Sequence, residues 1–125
     1  MLQGTVFYYK GAKMSRYIET AEKNTFPVIA LQGIVAFPGI ALSFEISDEA
    51  SCRAAEAAFE SDSNVLLLTL KDPSDEKITP DAFFKVGTVA KIKQSVKTPE
   101  KNVRIIAGES LAQVWLRYVS LLTIL

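Results

Sequence analysis

Residues Phe26 to Ile46 read FPVIALQGIVAFPGIALSFEI, and this stretch narrows the possible folds most. Two apolar segments flank a break at Gly33 and a Pro38-Gly39 turn, so no helix can run through them. After the turn, Leu42, Phe44 and Ile46 alternate with Ala41, Ser43 and Glu45. That period of two is a half-buried strand. Pro27 suits the first residue of a strand, where its missing N–H breaks no ladder. Pro38 presets φ and Gly39 accepts positive φ, which lets the chain reverse there. On these grounds alone the stretch is a hairpin-like corner in a β-rich domain.

The chain has 125 residues, room for one domain with one core. Hydrophobic residues make up 49%, which argues against disorder. Acidic and basic residues balance at 14 each, so a global basic footprint for nucleic acid is absent. With no histidine, Ser-His-Asp and Cys-His chemistry and most catalytic zinc sites are excluded. The single Cys52 forms no internal disulfide, which fits a reducing, cytoplasmic setting. Lys10, Lys13 and Arg16 interrupt any signal-peptide apolar region, and 111–125, broken by Gln113 and Arg117, is too short to span a bilayer. A soluble protein without membrane partners is expected.

Residues 1–25 read as a loosely organised leader in which Val6–Tyr9 forms at most an isolated strand. Met14 is a candidate initiator, with the residues before it an upstream extension. Ser47 and Asp48 offer helix-capping oxygens, and Glu49–Glu60 is rich in alanine without Gly or Pro. Cys52, Ala55, Ala58 and Phe59 are expected to form its apolar face, with Cys52 packed as a small hydrophobe. Ser61–Asn64 ends the helix with turn chemistry. Val65–Leu70 is a continuous apolar run, read as a central strand buried on both faces. A polar loop, Lys71–Pro80, leads to a short turn at 81–84. Val86–Lys97 and Val103–Ala107 then form a hairpin around Thr98–Asn102.

In wording, Pro27-Val28-Ile29-Ala30-Leu31 followed by Gly33-Ile34-Val35-Ala36-Phe37-Pro38-Gly39 resembles the opening of the amino-terminal substrate-recognition domain of Lon proteases. Ala30 and Gln32 depart from it, standing where that family usually has proline and arginine. Lys85–Ile92, KVGTVAKI, is close to a second signature of the same domain, in the expected order. Lys71-Asp72-Pro73 and Thr79-Pro80-Asp81 resemble its intervening loop, and Gly108-Glu109-Ser110-Leu111 a disturbed version of its later turn. The resemblance covers Phe26 to Ala107. It implies a PUA-like barrel; periodicity by itself supports a β-rich α+β fold. The expectation is a twisted, partly closed barrel of about six strands with one main helix. Residues 26–119 would form the domain and 120–125 a divergent tail, whose apolar residues pack back, pair between chains or aggregate. Deleting 120–125 is expected to improve solubility.

The chain shows no Walker-type loop for a nucleotide and no serine–lysine peptidase context. No catalytic residue, cofactor or metal ligand is assigned. Asp72, Asp75, Glu76 and Asp81 are acidic but lack calcium-loop spacing, and read as a solvated loop. Lys91, Lys93 and Lys97 are spaced to share a strand face, with Arg104 near. The functional reading is an anionic partner; the simpler one is solubilising charge on an outer strand, since no aromatic residue interleaves them. Phe37, Ile40, Phe83 and Phe84 are candidates for an apolar binding surface. Their residue types alone favour the core, so the substrate-binding residues stay unassigned.

The resemblance implies a non-catalytic substrate-recognition and assembly domain of an ATP-dependent serine protease. Its partners would be unfolded or damaged polypeptides and the ATPase and protease domains of such an enzyme, with homo-oligomerisation possible. The alternatives are a stand-alone adaptor or chaperone-like binder and, less favoured, a nucleic-acid-binding module.

Overall fold

In the computed structural model, residues 2–10, 15–20, 25–37, 39–62, 64–74, 82–108, 112–116 and 121–124 are described. Met14, Pro38, Asp75, Glu76 and Asp81 lie outside these, so the readings placed on them are not addressed. Among the described residues, nine strands and one helix follow in the order β1 (Leu2–Lys10), β2 (Ser15–Thr20), β3 (Thr25–Leu31), β4 (Leu42–Ile46), α1 (Glu49–Ser61), β5 (Asn64–Leu70), β6 (Phe83–Lys97), β7 (Val103–Ala107), β8 (Ala112–Leu116) and β9 (Leu121–Ile124).

The strands join in the order β4-β7-β6-β5-β3-β2-β1-β8, and β8 also pairs with β6. The pairings therefore curl back on themselves through six strands, β1, β2, β3, β5, β6 and β8. β4 and β9, each with one partner among the described residues, lie off that path, so the sheet as a whole is not a closed barrel. The expected β-rich α+β class with one helix and partial closure holds.

Three expectations change. β1 and β2 pair antiparallel, and β2 continues the sheet through β3, so the supposed leader contributes two strands. The β-rich run Val6–Tyr9 finds its partner in the sequence just after it. The stretch Phe26–Ile46 is no hairpin: β3 pairs in parallel with β5, whereas β4 pairs with β7. A parallel pair needs a long crossover, and here β4 and α1 lie within it. Finally, Phe83 opens β6 instead of belonging to a turn at 81–84.

β5 shows why a continuous apolar run is needed at the centre. Val65 and Leu67 belong to one core with Ile29, Leu31, Phe44, Ile46, Val103 and Ile105, under α1. Leu66, Leu68 and Leu70 belong to a second core with Ile18, Val28, Ala30, Phe83 and Val89. Alternate residues face opposite sides, so both sides must be apolar.

α1 meets the sheet through Ser51, Ala54, Ala55 and Ala58. Phe59, expected inside, is exposed, and Cys52 is only partly buried. Small side chains let the helix lie close to the strands, which rotates the bulky Phe59 outward. Asp48 caps the start, its carboxylate accepting from Ser51 N–H at 3.0 Å. Asp62 ends the helix in a left-handed conformation, φ 56°, its N–H reaching Ala58 and Phe59 carbonyls.

Arg16, from β2, ties the first strands to this cap. Its side chain is buried and pairs with Asp48, while donating to Ser51 Oγ at 2.8 Å. The same hydroxyl accepts from Ala30 N–H at 2.9 Å, which joins β3 to the cluster.

Candidate functional site

Between β3 and β4, residues 34–37 join no strand, and they alternate between half-buried and exposed as an extended chain does. Gly33 and Gly39 flank it with φ of 79° and 77°. Added Cβ atoms there would meet nothing, so backbone conformation alone favours glycine. Within the segment Ile34 and Ala36 pack against the helix-side core, whereas Val35 and Phe37 point outward, 49% and 60% exposed.

Two buried threonines hold it in place. Thr69 Oγ1 donates to Ile34 C=O at 2.9 Å, and Thr88 Oγ1 to Ala36 C=O at 3.1 Å. Those hydroxyls would otherwise be unpaired in the core, so the sheet and the segment satisfy each other. The anchors sit on neighbouring strands, β5 and β6.

The other wall comes from an irregularity in β6. Leu68 opposes Gly87 and Leu70 opposes Phe83, so Phe84, Lys85 and Val86 stand against Thr69 alone. Such a bulge re-aims side chains; Phe83 goes into the second core and Phe84 goes out, 48% exposed. Val35, Ala36, Phe37, Thr69, Phe84 and Val86 thereby line an open cavity of about 300 Å³. Ile40, 57% exposed, follows in the same loop.

Of the four apolar candidates, Phe37, Phe84 and Ile40 are thus at the surface and Phe83 is core. Phe37 and Phe84 line one groove. Val35 was not singled out from sequence, although the alternation Ile34/Val35/Ala36/Phe37 carries the signal. Thr69 and Thr88 had none, because a threonine in a strand is ordinary.

The lysine stripe is broken. Ile92 opposes Ala107 and Gln94 opposes Ile106, so Lys93 is an extra residue in β6. One added residue reverses the facing of everything after it; Ile92 is buried, whereas Val96, which regular alternation would place on the same face, is exposed. Lys97 turns towards α1, Nζ 3.7 Å from Glu56. Lys91 Nζ lies 3.1 Å from Asp62, and Arg104 3.8 Å from Glu45. With acidic neighbours at three of the four positions, little net field remains for a polyanion.

A larger cavity, about 530 Å³, lies where β2, β3 and the end of α1 meet, with Tyr17, Phe26, Asp62 and Lys91 in its wall. Its lining mixes charges and hydroxyls and offers no continuous apolar surface. Burial, and secondarily the nearby Asp48 and Glu56, raise the Cys52 thiol above its ordinary pKa, which opposes nucleophilic use. Hydrogen bonds from Ser74 lower the exposed Asp72 carboxyl. Among the described residues there is no cluster of three metal-ligating side chains, and no helix is long and apolar enough to cross a membrane.

The model of the ATP-dependent protease La (LON) substrate-binding domain family matches residues 25–111. Lon protease of Finegoldia magna is 38% identical over 93 residues, covering 74% of this chain and 12% of that protein. Lon protease of Rhizobium meliloti is 34% identical over 94 residues, covering 74% and 12%. Among solved structures, a Lon N-terminal domain protein from Xanthomonas campestris aligns with a TM-score of 0.47 at 12% identity, covering 67% of this chain and 44% of that one. The chain spans about an eighth of the length of the Lon proteases it matches. The family match includes both groove walls and both threonine anchors, and on it this chain belongs to the Lon substrate-binding domain family.

Proposed function

We propose that this chain is the substrate-recognition part of a Lon-type ATP-dependent protease and that it binds unfolded or damaged polypeptide over the groove between residues 35–37 and 84–86. The chain hydrolyses nothing itself; ATPase and peptidase domains of such an enzyme act on what it holds. The observation that carries the reading is the outward placement of Val35, Phe37 and Phe84 on a segment pinned by two buried hydroxyls. A backbone anchored in that way has less order left to lose on binding.

Partial covering of the exposed faces of Phe37 and Phe84 contributes about 1 kcal/mol each. Against the cost of association this gives weak, quickly reversible capture, which suits a module that passes its clients on. Shallow apolar contact also tolerates many sequences.

The test is binding of a carboxymethylated, permanently unfolded protein, compared with its folded form. The chain is expected to bind the unfolded form alone, with little salt dependence, and Phe37→Ser with Phe84→Ser to weaken binding about thirtyfold. Undiminished binding by the double variant would sink the reading. A steep fall in affinity with salt would point to the anionic-partner alternative.

A further inference from the structure

The backbone of the pinned segment carries information that its side chains do not. In an extended chain the N–H and C=O of successive residues point to alternate sides. Ile34 and Ala36 direct their carbonyls at Thr69 and Thr88. Val35 and Phe37 therefore direct their polar groups the other way. Among the described residues, these groups enter no hydrogen bond. The result is a short strand edge, fixed on one side and open on the other, between two exposed apolar side chains.

A second observation concerns charge. Lys85 stands between the lining residues Phe84 and Val86, and Lys71 follows Thr69 and Leu70 at the end of β5. Both are exposed, and neither makes an ion pair among the described residues. This differs from Lys91, Lys97 and Arg104, which have acidic neighbours. Among the described residues, the groove thus pairs an apolar lining with two lysines nearby in the chain that make no ion pair.

We propose that residues 34–37 receive the client as an added strand: an extended apolar segment hydrogen-bonds through its main chain to Val35 and Phe37, with an acidic client residue against Lys71 and Lys85. This deepens the reading above and rests on it. Main-chain pairing supplies affinity that no client side chain has to match. The acidic flank sets direction and favours some segments over others.

The test uses the whole chain and a short valine-rich peptide ending in glutamates, with affinity read by fluorescence anisotropy. The peptide is N-methylated at alternate residues on one edge, then on the other. Methylation of one edge is expected to weaken binding about tenfold, and of the other hardly at all, because only one edge donates to the protein. Exchanging the glutamates for lysines should cost several-fold, a difference that disappears in the Lys71→Ser, Lys85→Ser variant. Equal effects from both edges would overturn the added strand, and a flank effect that persists in the variant would overturn the role of the lysines. Either result leaves the apolar groove as the client site provided Phe37→Ser still weakens the unmodified peptide. Binding that ignores Phe37→Ser would overturn the site itself.

Discussion

Arg16 is the residue whose removal should be felt furthest from where it sits. Its charge is almost fully buried, and it holds Asp48, the cap of α1. Replacing it with methionine keeps the stem but leaves a carboxylate that is 22% exposed without its partner. The cost should be about 2 kcal/mol, below that of a fully buried broken pair. Asp48→Ala should cost more, since the helix also loses its cap. A double-mutant cycle followed by urea unfolding should give a coupling of about 1–2 kcal/mol; additive losses would mean that the pair contributes nothing. Gly87 supports a different kind of prediction. A Cβ there would lie 2.5 Å from Leu68 Cδ2, 2.9 Å from Leu66 Cδ1 and 3.2 Å from the Leu67 carbonyl oxygen. Gly87→Ala should therefore destabilise by about 2 kcal/mol in thermal unfolding, and an unchanged midpoint would show that the two leucines simply move aside. The glycine was visible in the sequence as part of a family signature, but its reason, the closeness of β5, was not. Nor was Arg16, because a charged residue in a polar leader gives no hint that it is buried.

At the scale of elements, regular segments were legible and irregular ones were not. β5, the helix and the β6–β7 turn follow from apolar runs, capping residues and Thr98–Asn102, where Thr98 N–H donates to Asn102 C=O at 2.8 Å. The two bulges of β6 left no mark on its composition, yet they decide which side chains are outside. One brings Phe84 to the groove; the other, at Lys93, splits the basic stripe. Deleting Lys93 should return Val96 to the buried side and move Lys97 to the outer one, away from Glu56. The expected outcome is a lower unfolding midpoint together with loss of the Lys97–Glu56 approach, read by crosslinking the two side chains in the parent and the variant. An undiminished crosslink would mean that β6 restores the bulge elsewhere. The candidate site was half legible for the same reason: its aromatic residues could be named, whereas the threonines and bulge that aim them depend on tertiary pairing.

For the molecule as a whole, the pairing of β9 with β1 alters what the tail is for. Phe7–Lys10 pairs in parallel with Leu121–Ile124, so removing 120–125 would uncover part of a strand edge. The deletion is now expected to lower solubility, contrary to the reading from sequence. Turbidity of the two proteins at equal concentration checks this, and a clearer solution of the shortened chain would restore the first expectation. The same pairing has a consequence for how the protein is made. β1 leaves a ribosome well before its neighbours β8 and β9, which lie about a hundred residues further along the chain. At about 5–20 residues per second, β1 spends several seconds with only β2 for a neighbour. Throughout that interval the nascent chain displays an apolar strand with an unfilled side, the same kind of feature that the function proposed above has this protein recognise in a client.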